Sequence, residues 1–159
     1  MQFSVRLPIA THMLLCIERF RGEQKATSEF LAGSVNVNPV IIRKIMGQLK
    51  AAGLVEVAPG VGGARLTKKP GDITLLDVFR AVEEEGALFA FQRDPNPACP
   101  VGKNIHRVLG GHLDRVRSTM LDSLGAVTLA SLLEEIRASE GEGGEDEYIL
   151  QKDDKRLPR

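Results

Sequence analysis

Arg43 and Lys44 stand side by side in the stretch NPVIIRKIMGQLKAAGLVEV, and Arg65, Lys68 and Lys69 follow the glycine-rich run PGVGG further on. A guanidinium is a rigid fork of N–H donors that matches the O6 and N7 acceptors of guanine, and an ammonium is a point charge suited to a phosphate oxygen. Between Asn38 and Asp72 there are six cations (Arg43, Lys44, Lys50, Arg65, Lys68, Lys69) against two acids (Glu56, Asp72), whereas the whole chain balances 21 basic with 21 acidic residues. The positive charge is therefore local, as on a surface that meets a polyanion. Taken alone, Arg43 and Lys44 read more readily as the solvated side of an amphipathic helix. Their neighbours decide between the two.

Little else in the chain has catalytic chemistry. No Ser/His/Asp grouping, metal-ligand spacing or phosphate loop is readable, and the Gly60–Gly63 run lacks the helix that a phosphate cradle requires after it. The chain is not expected to be an enzyme. Its two cysteines, Cys16 and Cys99, form no C-x-x-C pair and no disulfide framework. With no Trp and one Tyr, stacking on single strands has little support, so duplex DNA is the nucleic acid expected. Cys99 precedes Pro100 at the start of a long helix, where unpaired N–H groups favour a thiolate, and Lys103 and His106 follow on the same helix. It reads either as a thiol switch or as a small side chain filling a gap. His12 and Cys16 lie along an apolar helical stripe and read as structural.

Several elements must position these groups. Asn38 is suited to an N-cap and Pro39 to the first helical position, so a helix is predicted over Asn38–Ala52, with Gly53 closing it. At 100° per residue Ile42, Ile45, Met46 and Leu49 share one face, while Val40, Arg43, Lys44 and Gly47 share the other. The span Leu54–Ala58 alternates Val55 and Val57 against Glu56, as a strand does, and the turn 59–63 returns the chain to Arg65. Upstream, Ile9, Met13, Ile17 and Phe20 mark a first helix with Pro8 in its first turn. Thr27 caps a short second helix, and Gly33–Val37 forms the turn into Asn38. Two helices, a turn and a two-stranded ribbon make a winged helix-turn-helix.

Downstream, Thr74 and Asp77 resemble a capping box for a helix through Leu75, Val78, Phe79 and Val82, ended by the acidic run before Gly86. The proline-rich loop 93–98 separates it from a helix expected over Pro100–Leu124. Val101, Ile105, Val108, Leu109, Leu113, Val116, Met120 and Leu124 stripe that helix for about seven turns, more apolar face than it can bury alone. Pairing with its own copy is the simplest solution. Gly110-Gly111 marks a kink or a close crossing. Thr128 caps a last helix through Ile136, and residues 139–159 read as a mobile charged tail.

The recognition segment NPVIIRKIMGQLKAAGLVEVAPGVGGARL, the block ITLLDVFRAVE and the helix start CPVGKNI together resemble the Rrf-two family of bacterial winged-helix transcription regulators over about residues 1 to 138. The resemblance implies a homodimer joined through the long helix that binds a roughly palindromic operator, usually as a repressor. By position, Val40, Arg43 and Lys44 match the family's base-reading stretch, and Gly62, Gly63 and Arg65 match its wing. Cluster-binding members carry three cysteines in the region corresponding to Ala87–Arg107. This chain has only Cys99 there, so an iron–sulfur cluster is not expected, with His12 and His106 left as nitrogen donors for an unusual site.

The expected fold is mainly α with a small β-wing. Residues 1–90 form the DNA-binding domain, 91–138 the loop, the long dimerisation helix and the final helix, and 139–159 the tail. The expected function is sequence-specific regulation of transcription on duplex DNA, in the cytoplasm, with no membrane partner and no cofactor. Asn38, Val40, Arg43, Lys44, Gly62, Gly63, Arg65, Lys68 and Lys69 are the contact candidates, and Cys99 is a candidate switch. The competing reading is a winged helix that contacts other proteins without touching DNA.

Overall fold

The computed structural model describes residues 4–58, 63–83, 91 and 93–141. Helix α1 (Arg6–Arg19) turns six residues inward, among them Met13, Leu14 and Ile17, and Phe20 closes it. The next helix, α2 (Ser28–Val35), starts where the Thr27 hydroxyl accepts the Phe30 N–H at 3.1 Å. The turn that follows differs from the expectation. Gly33, Ser34 and Val35 remain helical, and the reversal falls on Asn36, whose φ of 57° is left-handed. Asparagine tolerates that conformation because its short amide bonds locally, so no glycine is needed there.

Helix α3 (Pro39–Ala51) begins as expected, with the Asn38 side chain accepting the Val40 N–H at 2.8 Å and Pro39 at its first position. Ile42, Ile45 and Leu49 are buried along one face. Strand β1 (Val55–Ala58) pairs antiparallel with β2 (Gly63–Leu66), with Val55 opposite Leu66, Glu56 opposite Arg65 and Ala58 opposite Gly63. Strand spacing holds, yet only Val55 is buried, and Val57 is 42% exposed because the two-stranded ribbon lifts away from the core. The wing tip 59–62, with Gly62, lies outside the described residues.

A short 3-10 turn (Pro70–Asp72) leads to helix α4 (Leu75–Val82), whose capping box is complete: Thr74 Oγ1 accepts the Asp77 N–H and Asp77 Oδ2 accepts the Thr74 N–H. Partial burial of Asp77 opposes its ionisation. The N–H and hydroxyl of Thr74, together with the Lys68 and Arg80 charges, outweigh that effect and hold its pKa below the ordinary value. Helix α5 (Pro100–Gly125) runs unbroken through Gly110-Gly111, and none of its residues is buried. It touches the body through α4, with Gly125 against Leu76.

Helix α6 (Leu129–Gly141) takes in residues 139–141, assigned above to the tail; residues 142–159 lie outside the described set. It packs on α1 and buries Leu129 and Leu133. Backbone bonds from Leu75 N to Val127 O and from Leu129 N to Ile73 O tie its start to the start of α4. One core thus joins α1 to α4 with α6, and it contains no buried polar residue among those described. The long helix is the element left outside it.

Candidate nucleic-acid interface

Burying Ile42, Ile45 and Leu49 turns the other side of α3 outward, since 3.6 residues per turn place Val40, Arg43, Lys44 and Gly47 opposite them. Val40 is 65% and Ile41 43% exposed. Aliphatic side chains left in water beside cations suit thymine methyl groups, which lie next to the base-edge acceptors in a major groove. Ile41 was missed in the sequence because a branched aliphatic residue next to Ile42 is assigned to the core by default. Asn38 is exposed but spends its side-chain oxygen on the helix cap.

The Arg43 guanidinium does not stand alone. Its Nη2 donates to Glu29 Oε1 on α2 at 3.0 Å, a bond that spans the two helices of the helix-turn-helix. In the wing, Arg65 Nε donates to Glu56 Oε1 at 2.7 Å across the hairpin. Neither carboxylate was singled out from the sequence. The Glu56–Arg65 pair was within reach, because the hairpin register sets them opposite each other. Glu29 was not, because its approach to Arg43 depends on how α2 crosses α3. Lys44, Lys68 and Lys69 are exposed and enter no ion pair among the described residues.

Gly63, one of the contact candidates, also has a packing role. Its φ is +82°, and a Cβ built there falls 2.7 Å from the Ala26 nitrogen. Ala64 N also donates to Ala26 O at 3.0 Å, so this glycine seats the base of the wing against the chain before α2. Beside it lies an open cleft of about 740 Å³ between β2 and the segment after α1, with Lys25, Arg65, Lys68 and Lys69 among its walls. Lys68 and Lys69 therefore lie along the wing's flank, while Arg43 and Lys44 lie on the helix.

Cys99 is the N-cap residue of α5 and is half-buried. Its sulfur makes no capping hydrogen bond of ordinary geometry, yet the N–H groups of Gly102 and then Val101 point at it and draw its pKa below the usual thiol value. Phe91 and His106 make a tilted ring contact, with centroids 5.0 Å apart and planes at 56°. Cys16 is buried in α1, its Sγ 3.1 Å from Ser34 Oγ, which in turn lies 3.2 Å from His12 Nε2. That chain of contacts joins α1 to α2.

Residues 3–135 match the family model Rrf2, described as an iron-dependent transcriptional regulator. Bacillus subtilis (strain 168) YwnA, named as an HTH-type transcriptional regulator, is 41% identical over 128 residues, which are 80% of this chain and 94% of that protein. A crystal structure described as that of a DNA-binding protein shares 37% identity, with a TM-score of 0.65, covering 80% of this chain and 98% of the other. IscR of T. potens shares the fold at 20% identity, with a TM-score of 0.67 over 88% of this chain and 91% of its own.

The family description names iron, which iron–sulfur clusters hold through cysteine thiolates. Two thiols exist in the chain: one is held in the α1–α2 contact and the other belongs to the N-cap residue of α5. No three His, Cys, Asp or Glu side chains converge among the described residues. No helix among them is long and apolar enough to cross a membrane. With two helices, a turn and a wing in the family's order and a family model matching most of its length, the chain belongs to the Rrf2 family of transcriptional regulators, proteins that bind DNA rather than catalyse reactions.

Proposed function

We propose that this protein is a cytoplasmic repressor that binds duplex DNA sequence-specifically, as a homodimer on a roughly palindromic operator and without a resident cluster. The observation that carries the reading is the solvent-facing side of α3, where Val40, Ile41, Arg43 and Lys44 lie exposed with the cationic wing beside them. Arg43 is the base reader, Val40 and Ile41 meet thymine methyls, and Lys44, Lys68 and Lys69 hold phosphates. The dimer rests on α5, which leaves Val101, Val108, Leu109 and Val116 at 39–68% exposure along one 26-residue helix. A two-fold pairing of that helix would cover them and repeat the reading head, as half-sites about one helical turn apart require.

The test is to select genomic fragments bound by the protein and to compare them with random duplex in a gel shift. Arg43→Ala should weaken the selected fragment by about 1 to 3 kcal/mol while leaving random duplex nearly unchanged. If wild type and Arg43→Ala bind both DNAs alike, sequence-specific recognition fails and the protein-contact alternative gains.

A further inference from the structure

Among the described cations of the DNA-facing surface, both arginines are held by carboxylates and all three lysines are not. The division follows chemistry. Lysine needs no fixed orientation to satisfy a phosphate, whereas an arginine that reads a guanine must present its fork in one plane. The pairing of Arg43 with Glu29 is the informative case, because it comes from another helix and takes only the Nη2 of a guanidinium whose side chain stays 58% exposed. Glu29 gains nothing from burial, its side chain being 70% exposed, and ion pairs this open add little to stability. Its carboxylate is held ionised first by its own backbone N–H at the start of α2, then by Arg43. The charge is therefore present at neutral pH beside a surface otherwise built to attract phosphate.

Resting on the DNA-binding reading above, we propose that Glu29 is a specificity-determining positioning residue of the interface: it orients the Arg43 guanidinium towards a base edge and, through its charge, weakens the hold on duplex that offers Arg43 no partner. On a matched site Arg43 keeps Glu29 on one edge and bonds a guanine with the other, so the guanidinium is satisfied on both edges and the carboxylate keeps its counter-charge. On a mismatched site Arg43 can reach for a phosphate only by leaving Glu29, which strands an unpaired negative charge against the backbone of the duplex. The penalty falls on the wrong sequence alone, and discrimination built by such repulsion is a recurrent device of selective interfaces.

The experiment is fluorescence anisotropy of the full chain with a selected genomic fragment and a random duplex of equal length, at one fixed salt concentration. Glu29→Gln keeps the shape and an acceptor oxygen but removes the charge. It should tighten random duplex and lower the ratio of specific to random affinity about five- to tenfold. In an Arg43→Ala background the same change should leave the ratio as it is, because there is no guanidinium to direct. A ratio untouched by Glu29→Gln in the wild-type background overturns the proposal, and so does a ratio that falls equally with and without Arg43, which would make Glu29 a general surface charge. If the wild-type protein prefers no genomic fragment over random duplex, the parent reading itself has failed, and that outcome is visible before any variant is made.

Discussion

Replacing Gly63 with alanine separates a structural glycine from a DNA-contacting one. The left-handed φ of +82° opposes any side chain, and the new methyl would sit 2.7 Å from the Ala26 nitrogen and 3.2 Å from its carbonyl carbon, against backbone that cannot swing aside. Left-handed backbone costs an L-residue about 1–2 kcal/mol. Relieving the clash means parting β2 from Ala26, with loss of the Ala64 N–H to Ala26 O bond, net about 1 kcal/mol. The expected destabilisation is about 3 kcal/mol, which for a domain of this size lowers the melting temperature by about 9 °C. Thermal unfolding followed by circular dichroism measures it, with Gly47→Ala as the opposite control. Gly47 lies inside α3, a Cβ there meets nothing within 4 Å, and alanine should add about 0.5–1 kcal/mol. A Gly63→Ala protein that melts with the wild type and only loses DNA affinity would refute the packing account and return Gly63 to the DNA contacts.

Three further outcomes follow from the same structure. Val116→Glu on α5 should leave the fold of each protomer intact, since this side chain is half exposed within one chain, but raise the dissociation constant of the proposed dimer by about one to two orders of magnitude, since covering the exposed half of each of two valines is worth about half of the 1.5–3 kcal/mol of full burial; analytical ultracentrifugation showing an unchanged dimer would remove α5 as the interface. Asp77→Asn should lower stability by about 1 kcal/mol at neutral pH through the damaged capping box. Because the folded-state pKa of Asp77 is depressed, its contribution is present above the ordinary carboxylate range and disappears as pH falls through the folded value, so the gap between variant and wild type should close in acid. Cys99, drawn towards thiolate by the Gly102 and Val101 N–H groups, should react with iodoacetamide well faster than the buried Cys16 at neutral pH; equal slow labelling of both would assign Cys99 to packing.

Local features were legible in the chain because they depend on residues a few positions apart. Asn38-Pro39, Thr27, Thr74 with Asp77, and Cys99-Pro100 mark helix starts through side chains that satisfy or lack specific N–H groups, and each stands where it was expected. The opposed faces of α3 followed from 3.6 residues per turn in the same way. What the tertiary structure alone decided involves partners distant in sequence. Glu29 reaches Arg43 because of the crossing of α2 and α3, Gly63 meets Ala26 because the wing folds back on the chain before α2, and α6 joins the core through Leu129 rather than following α5. Hydrophobic periodicity says that a face must be buried, but burial is non-directional and does not name the surface that covers it. Only the assembled fold shows that α1 takes α6, and that Val101, Val108, Leu109 and Val116 of the α5 stripe are left exposed.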